Sequence, residues 1–307
     1  MSDPDTHPGP HDVTVVGCGL MGAGLARQFA KDGYRVAAWN RTHARAEALA
    51  GAGVTPVRSI VDAVRASPLV VSCTSTYDTT RSALGPVDDW GVTTLVNLAN
   101  GTPDEAEQFA GWAGARGARV LEGGIFCYPQ DLGSAEASIF YSGPRAIWAE
   151  HEQTLTALAG SSRHVSEDIR TANVMFVGIS AFFMPAMSAY VEAAAYLLDQ
   201  GVSVEALREI TVPPLQTIAY TTEETVAAIT SGEFGSDQAT VALYAETSRI
   251  CLDAVRAAGH RAEHLAVTVA NLQETEAAGF GELGYYSQAR IARLADAPGG
   301  TPGSARR

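Results

Sequence analysis

The stretch Val13-Thr-Val-Val-Gly-Cys-Gly-Leu-Met-Gly-Ala-Gly-Leu-Ala26 decides the fold. Its first four residues are all β-branched and favour a strand. They run into Gly17-x-Gly19-x-x-Gly22, after which Leu25, Phe29 and Ala30 recur at helical spacing as far as Asp32. A second apolar run, Tyr34 to Trp39, follows where a βαβ unit needs its next strand. In such a unit Gly17 makes the tight turn, Gly19 lets backbone approach a pyrophosphate, and Gly22 lets helix and strand pack closely, with the helix N-terminus aimed at the phosphates. The pattern predicts a dinucleotide site.

The end of the second strand selects among dinucleotides. NAD-binding chains place an Asp or Glu there to accept from the ribose 2′-hydroxyl, whereas this chain has Asn40, Arg41 and Thr42. A carboxylate would repel a 2′-phosphate. Arg41 instead pairs with it through charge-assisted hydrogen bonds, supported by the Asn40 amide and the Thr42 hydroxyl, so NADP(H) is the expected cofactor. The competing reading of Arg41 is a solvated side chain opening the next helix.

Composition narrows the function class. With 307 residues, 46% of them apolar and 18% charged, the chain buries a substantial core, and two domains are expected. The balance of 21 basic against 34 acidic residues, net −13, argues against nucleic acid as a partner. Cys18, Cys73, Cys127 and Cys251 show no CxxC spacing, so neither a metal site nor a disulfide framework is expected. The leader, residues 1–11, lacks a basic and apolar signal pattern, which predicts a cytoplasmic protein; it and the tail, 297–307, read as disordered.

Strand and helix patterns then alternate: a helix at His43–Gly51, a strand at Val54–Val57, a helix at Ser59–Ala66, and strands at Leu69–Cys73, Thr93–Leu98, Arg119–Glu122 and Ala137–Tyr141. This alternation predicts an α/β, doubly wound, mostly parallel sheet with its ligand cleft at the carboxyl edge. From Thr171 the strand signals stop. Ala172 to Val191 is a run of twenty residues without a charge, long enough to cross a bilayer. The absence of a flanking Lys/Arg excess, together with Gly178 and Pro185, favours a helix buried between domains or in a subunit interface and bent at Pro185. No membrane partner is expected, and an obligate oligomer is. Val204–Glu209, Val212–Ala228, Ser236–Ala258 and Arg261–Ala278 carry helical periodicity, so the second domain is all-α.

Taken together, Gly17-Cys-Gly-Leu-Met-Gly22, Trp39-Asn-Arg-Thr42, Asn97-Leu-Ala-Asn-Gly-Thr-Pro103, Gly123-Gly-Ile-Phe-Cys-Tyr-Pro129, Gly133-Ser134 and Tyr141-Ser-Gly143 resemble the imine reductase and reductive aminase family, within the β-hydroxyacid dehydrogenase group. The resemblance runs from Val13 to about Leu294. It implies a Rossmann domain at 12–168, an interdomain helix at 169–200, a helical dimerisation and substrate domain at 201–296, and a homodimer with exchanged C-terminal helices. It also implies NADPH-dependent reduction of a hydrophobic, cyclic imine or iminium to an amine. The cofactor residues it implies are Gly17, Cys18, Gly19, Leu20, Met21 and Gly22 at the pyrophosphate, Asn40, Arg41 and Thr42 at the 2′-phosphate, and Cys73, Thr74 and Ser75 near the ribose. Asn100 matches an asparagine beside nicotinamide and substrate; Asn-Gly-Thr-Pro is also a good turn sequence.

Two departures matter. The hydroxyacid dehydrogenases of the group use a lysine on the interdomain helix, and this chain has no lysine after Lys31. Imine reductases often place an Asp or Tyr on that helix, and those positions fall on Phe176 and Met184, which donate no proton. Three accounts follow. The substrate arrives protonated and is shielded by Phe176, Phe126 and Tyr128, with Cys127 and Met184 completing the pocket. Alternatively Tyr244, Tyr128 or Glu192 donates the proton; a buried Glu192 would have a raised pKa, although it is equally readable as structural. In the third account the pocket reduces another activated C=C or C=O, and the helix aromatics are core. A catalytically silent nucleotide-binding protein is the reading from a different class.

Overall fold

The computed structural model describes residues 10–292, so the expected tail and nearly all of the expected leader lie outside the described residues. Contacts divide the chain into two compact units that meet between Ala181 and Phe182.

The N-terminal unit is built on eight strands: β1 (Val13–Val16), β2 (Val36–Trp39), β3 (Val54–Pro56), β4 (Leu69–Ser72), β5 (Thr94–Asn97), β6 (Arg119–Ile125), β7 (Ile139–Ser142) and β8 (Arg163–Ser166). They lie in the order β3-β2-β1-β4-β5-β6-β7-β8. Every pairing is parallel except β6 with β7. Helices α1 (Leu20–Lys31), α2 (His43–Glu47), α3 (Ile60–Arg65), α4 (Tyr77–Leu84), α5 (Pro103–Gly114) and α6 (Arg145–Thr156) connect them.

Alternate strand residues feed two cores. Val13, Val15, Leu69, Val71, Val96 and Leu121 pack with Leu25 and Phe29 of α1 and Leu155 of α6. Val16, Val70, Leu95 and Val120 pack with Tyr77 of α4 and Phe109 of α5. Burial on both faces is why these strands read as continuous apolar runs. Strand order reverses between β1 and β4, which opens a crevice at their carboxyl ends.

Two local expectations change. The helix expected over His43–Gly51 ends at Glu47, and a 3-10 turn at Ala50–Ala52 follows, closed by Gly53 at φ +80°. The strand β8 carried no sequence signal, because Arg163-His-Val-Ser166 has a single apolar residue and none of the four is buried.

Helix α7 (Thr171–Asp199) runs on into the C-terminal unit and is continuous through Pro185. With α8 (Val204–Ser231), α9 (Val241–Ala257) and α10 (Glu263–Thr275) it makes that unit all-helical. The two helices expected at Val204–Glu209 and Val212–Ala228 are one. Pro213 and Pro214 remove two helical donors near its start, yet the helix carries on beyond them to Gly232, whose φ of +77° ends it. Helix α9 begins at Val241, five residues later than expected, where the Thr240 hydroxyl accepts from the Leu243 N–H.

The core of the C-terminal unit is small, made of Val241, Ala245 and Leu272 in one cluster and Leu252, Ala262 and Val269 in another. In the single chain, Phe182, Met184, Met187 and Val191 of α7 and Leu215, Ile218, Val226 and Ile229 of α8 are exposed. The expected burial of the uncharged helix is therefore not found within one chain, although α7 is long and apolar enough to cross a membrane.

Candidate active site

The glycine turn is fixed by contacts that exclude a side chain. Gly17 has φ +99°, and a Cβ there would sit 2.4 Å from the Cys73 carbonyl oxygen. At Gly22 a Cβ would fall 1.9 Å from the Gly17 oxygen. Helix, turn and the end of β4 are thus pressed together. Gly19 is different: nothing lies within 4 Å of its Cβ position, so its backbone is open to the crevice.

Helix α1 starts beside that opening without a side-chain cap and without an acid in its first turn. Its first N–H groups and positive dipole end are available to an anion. Leu20 is 89% exposed there and offers apolar surface at the mouth of the turn. Cys18 and Cys73 flank the turn, and burial pushes their thiols up to about 11 and about 12, so both stay neutral beside a phosphate. Open backbone, uncapped N–H groups and neutral walls fit a pyrophosphate.

Asn40 does something other than expected. Its Oδ1 accepts the Cys18 N–H at 2.9 Å, and its Nδ2 donates to the Thr42 carbonyl at 3.0 Å. It braces the end of β2 against the glycine turn, so its amide is already engaged. Arg41 is exposed and has no ion pair among the described residues. Beyond β4, Thr74 Oγ1 lies 2.6 Å from Thr80 Oγ1, and the exposed Ser75 Oγ lies 3.4 Å from Thr79 Oγ1.

Asn100 is exposed at the carboxyl edge of β5 and makes no hydrogen bond among the described residues, which leaves its amide free. The next residue is held tightly: a Cβ on Gly101 would meet the Tyr77 ring at 2.4 Å. Phe126 and Phe176 do come together, with ring centroids 6.0 Å apart, and Phe140 lies 5.1 Å from Phe126. Cys127 packs partly against the core on the α1 side of the sheet, while Tyr128 is exposed, its N–H donating to Asp131.

The C-terminal unit holds the other candidates, and it keeps Glu192 and Tyr244 in separate hollows. Glu192 lines one with Tyr196, His260 and His264; Tyr244 lines another with Tyr285, Tyr286 and Glu224. Glu192 Oε2 accepts the His264 N–H at 3.2 Å, and Oε1 lies 3.1 Å from His264 Nδ1. Burial pushes this carboxyl upward, but the His264 N–H and imidazole outweigh it and hold the group below its usual range. The expected raised pKa is corrected: Glu192 is an ionised brace for the start of α10. Tyr244 stacks edge-on to Tyr285 at 4.9 Å, and its hydroxyl makes no hydrogen bond among the described residues. Met184 is exposed on α7.

Residues 12–178 match the NAD binding domain of 6-phosphogluconate dehydrogenase, and residues 168–293 match the C-terminal domain of the NADPH-dependent reductive aminase-like proteins. The chain belongs to the imine reductase and reductive aminase family. An NADPH-dependent reductive aminase of Aspergillus oryzae (strain ATCC 42149 / RIB 40) is 29% identical over 186 residues, 60% of this chain. That match spans 63% of the curated relative's length, a little under two thirds. An imine reductase from Pseudomonas sp. superposes with a TM-score of 0.89 at 28% identity, over 92% of this chain and 99% of its own. A reductive aminase from Aspergillus terreus, in complex with NADPH4, cyclohexanone and allyl amine, does so at 0.87 and 27%, over the same shares.

In this imine reductase family member a buried polar chain, which no sequence motif marks, lies behind the loop of Asn100. Glu122 of β6 is fully buried, and its Oε2 accepts from the Tyr77 hydroxyl at 2.8 Å and the Asn97 amide at 3.0 Å. Asn173 of α7 donates to the Tyr77 hydroxyl at 2.9 Å and to the Gly101 carbonyl at 3.0 Å. One signal was present: an acid ending the apolar run Val120-Leu121 in a strand buried on both faces.

Proposed function

We propose that the protein reduces a hydrophobic, cyclic imine or iminium to the amine with NADPH. The observation that carries this reading is the joining, in one chain, of a glycine turn and a neighbouring strand end bearing Arg41 to a domain of the reductive aminase-like type. NADPH, when bound, supplies the hydride. The residues Gly17 to Gly22 hold its pyrophosphate, Arg41 and Thr42 its 2′-phosphate, and Asn100 orients the nicotinamide edge or the substrate nitrogen. Phe126 and Phe176 present aromatic surface to a cationic carbon–nitrogen bond.

An iminium ion needs only hydride to become a neutral amine, so no proton donor is required for it. A neutral imine needs one. With Glu192 held ionised, Tyr244 is the remaining candidate in the C-terminal unit. Tyr244→Phe is expected to lower kcat for a neutral imine by about 100-fold, the usual scale of general-acid catalysis, and to spare an N-alkylated iminium. An unchanged kcat for the neutral imine, or an equal fold-loss on both substrates, removes Tyr244 from the donor role. The function itself is tested by following NADPH oxidation with a pyrroline or dihydroisoquinoline. Steady turnover is expected; tight NADPH binding with no turnover of any imine, ketone or enone sinks the proposal in favour of a silent binding protein.

We further propose that a second copy of the chain covers α7 and α8. Leu215, Ile218, Val226 and Ile229 form one exposed apolar stripe along α8, too extensive for a monomer to leave in water.

A further inference from the structure

Asn97, Glu122 and Ser142 occupy one row across β5, β6 and β7, with Ser72 of β4 beside them. This row is polar, whereas the row before it, Val71, Val96 and Leu121, is apolar. From it two ties reach α7. The Ser142 hydroxyl donates to the Ile169 carbonyl at 2.8 Å and accepts the Ala172 N–H at 3.1 Å, while Asn173 reaches Tyr77 and Gly101. One turn beyond Ala172 stands Phe176, and one residue before Gly101 stands Asn100. The two groups assigned to cofactor and substrate are therefore both anchored to the row that contains Glu122.

We propose that Glu122 is a positioning residue, an uncharged buried acid that sets the Asn100 loop and the first turn of α7 for hydride transfer. The inference rests on the imine-reducing function proposed above.

Several observations support it. A carboxylate without a cation is costly to bury, and among the described residues no cation pairs with Glu122. Burial pushes its carboxyl up to about 8, against the pull of its two donors, Tyr77 and Asn97. At neutral pH it carries a proton. Both of those donors fall on Oε2, so the proton belongs on Oε1, which has no partner among the described residues. Tyr77 is the titratable group in contact with it, and burial raises that phenol well above its usual range, so it remains a donor. Asp104, Glu105 and Arg170 are solvent-exposed or half-exposed nearby, with Glu105 accepting the Thr102 N–H and Arg170 pairing with Asp104. Ionising Glu122 leaves a charged oxygen without a partner behind the loop, and the anchor loosens.

The sign of the pH effect follows from linkage. In the unfolded chain this carboxyl titrates near its usual value of 4.5, and in the folded chain near 8. Its contribution to stability is complete below the lower value, declines steadily as pH rises between the two, and is gone above the upper one.

The test compares wild type with Glu122→Gln and Glu122→Leu. Melting temperature is followed from pH 6 to 9.5 without nucleotide, and kcat and KM are followed over the same range with NADPH and N-methyl-dihydroisoquinolinium, whose charge does not titrate. Glutamine keeps an acceptor for Tyr77 and Asn97 and places an amide where Oε1 has no partner. The expected result for wild type is a melting temperature that declines from pH 6 and levels off above about 8, with a kcat that falls as pH passes about 8; both are absent in Glu122→Gln. At neutral pH the Gln variant keeps kcat within about twofold, whereas Glu122→Leu loses about tenfold or more in kcat with little change in the KM for NADPH. A Gln variant with the wild-type pH step, or a Leu variant with wild-type kcat, overturns the proposal. If Glu122→Leu does not fold, the Gln comparison decides alone. If wild type reduces no iminium, the imine-reductase reading has failed while the melting step still reports on Glu122.

Discussion

Arg41→Glu is expected to lower kcat/KM for NADPH by roughly 100-fold or more, about 3 kcal/mol, and to leave NADH little affected. The structure gives two reasons for so large an effect at one exposed residue. Arg41 has no ion pair among the described residues, so its charge is uncommitted until an anion arrives. The side-chain amide of Asn40, beside it at the strand end, is already occupied by the Cys18 N–H and the Thr42 carbonyl. A glutamate at position 41 both removes the cation and repels a 2′-phosphate. Because the side chain is exposed, the melting temperature should not move. The measurement is the ratio of kcat/KM for the two nucleotides; an unchanged ratio removes Arg41 from the site.

A second large effect is expected on α8. Leu215 and Val226 are eleven residues apart, three helical turns, and so share a face that is exposed in the single chain. Leu215→Glu with Val226→Glu puts two charges where a second copy is proposed to pack. The doubly substituted chain should sediment as a monomer of 32.1 kDa and lose most of its imine reduction, while NADPH binding to the N-terminal unit falls far less. A dimer of unaltered mass, or full activity as a monomer, contradicts the proposed packing.

The sheet and the glycine turn were legible in the sequence because their physics is local. Val13 to Val16 must extend, Gly17 and Gly22 have neighbours that forbid a Cβ, and the strand end lacks an acid. The helices of the second domain were legible as helices, yet their ends were not: Pro213-Pro214 reads as a stop, but only tertiary structure shows the chain carrying on through it. β8 was illegible, since none of its four residues is buried and it carries no apolar alternation.

The site divides in the same way. Residues read from the turn motif lie at the turn, whereas the role of Glu192 depended on His264, seventy-two positions away, whose N–H and imidazole hold it ionised. The chain from Asn97 through Glu122 and Tyr77 to Asn173 joins four separate elements, and no spacing in the sequence marks it. Hydrogen bonds between distant segments are what sequence periodicity does not record.

The central claim is hydride delivery from NADPH to a carbon–nitrogen double bond. It is tested most directly with NADPH deuterated at C4 of the nicotinamide, in both epimers, and a cyclic imine. Deuterium from one epimer should appear at the former imine carbon of the amine, in amount equal to the NADPH consumed. Amine formed without deuterium from either epimer, or nucleotide oxidised with no label in the product, would contradict the account.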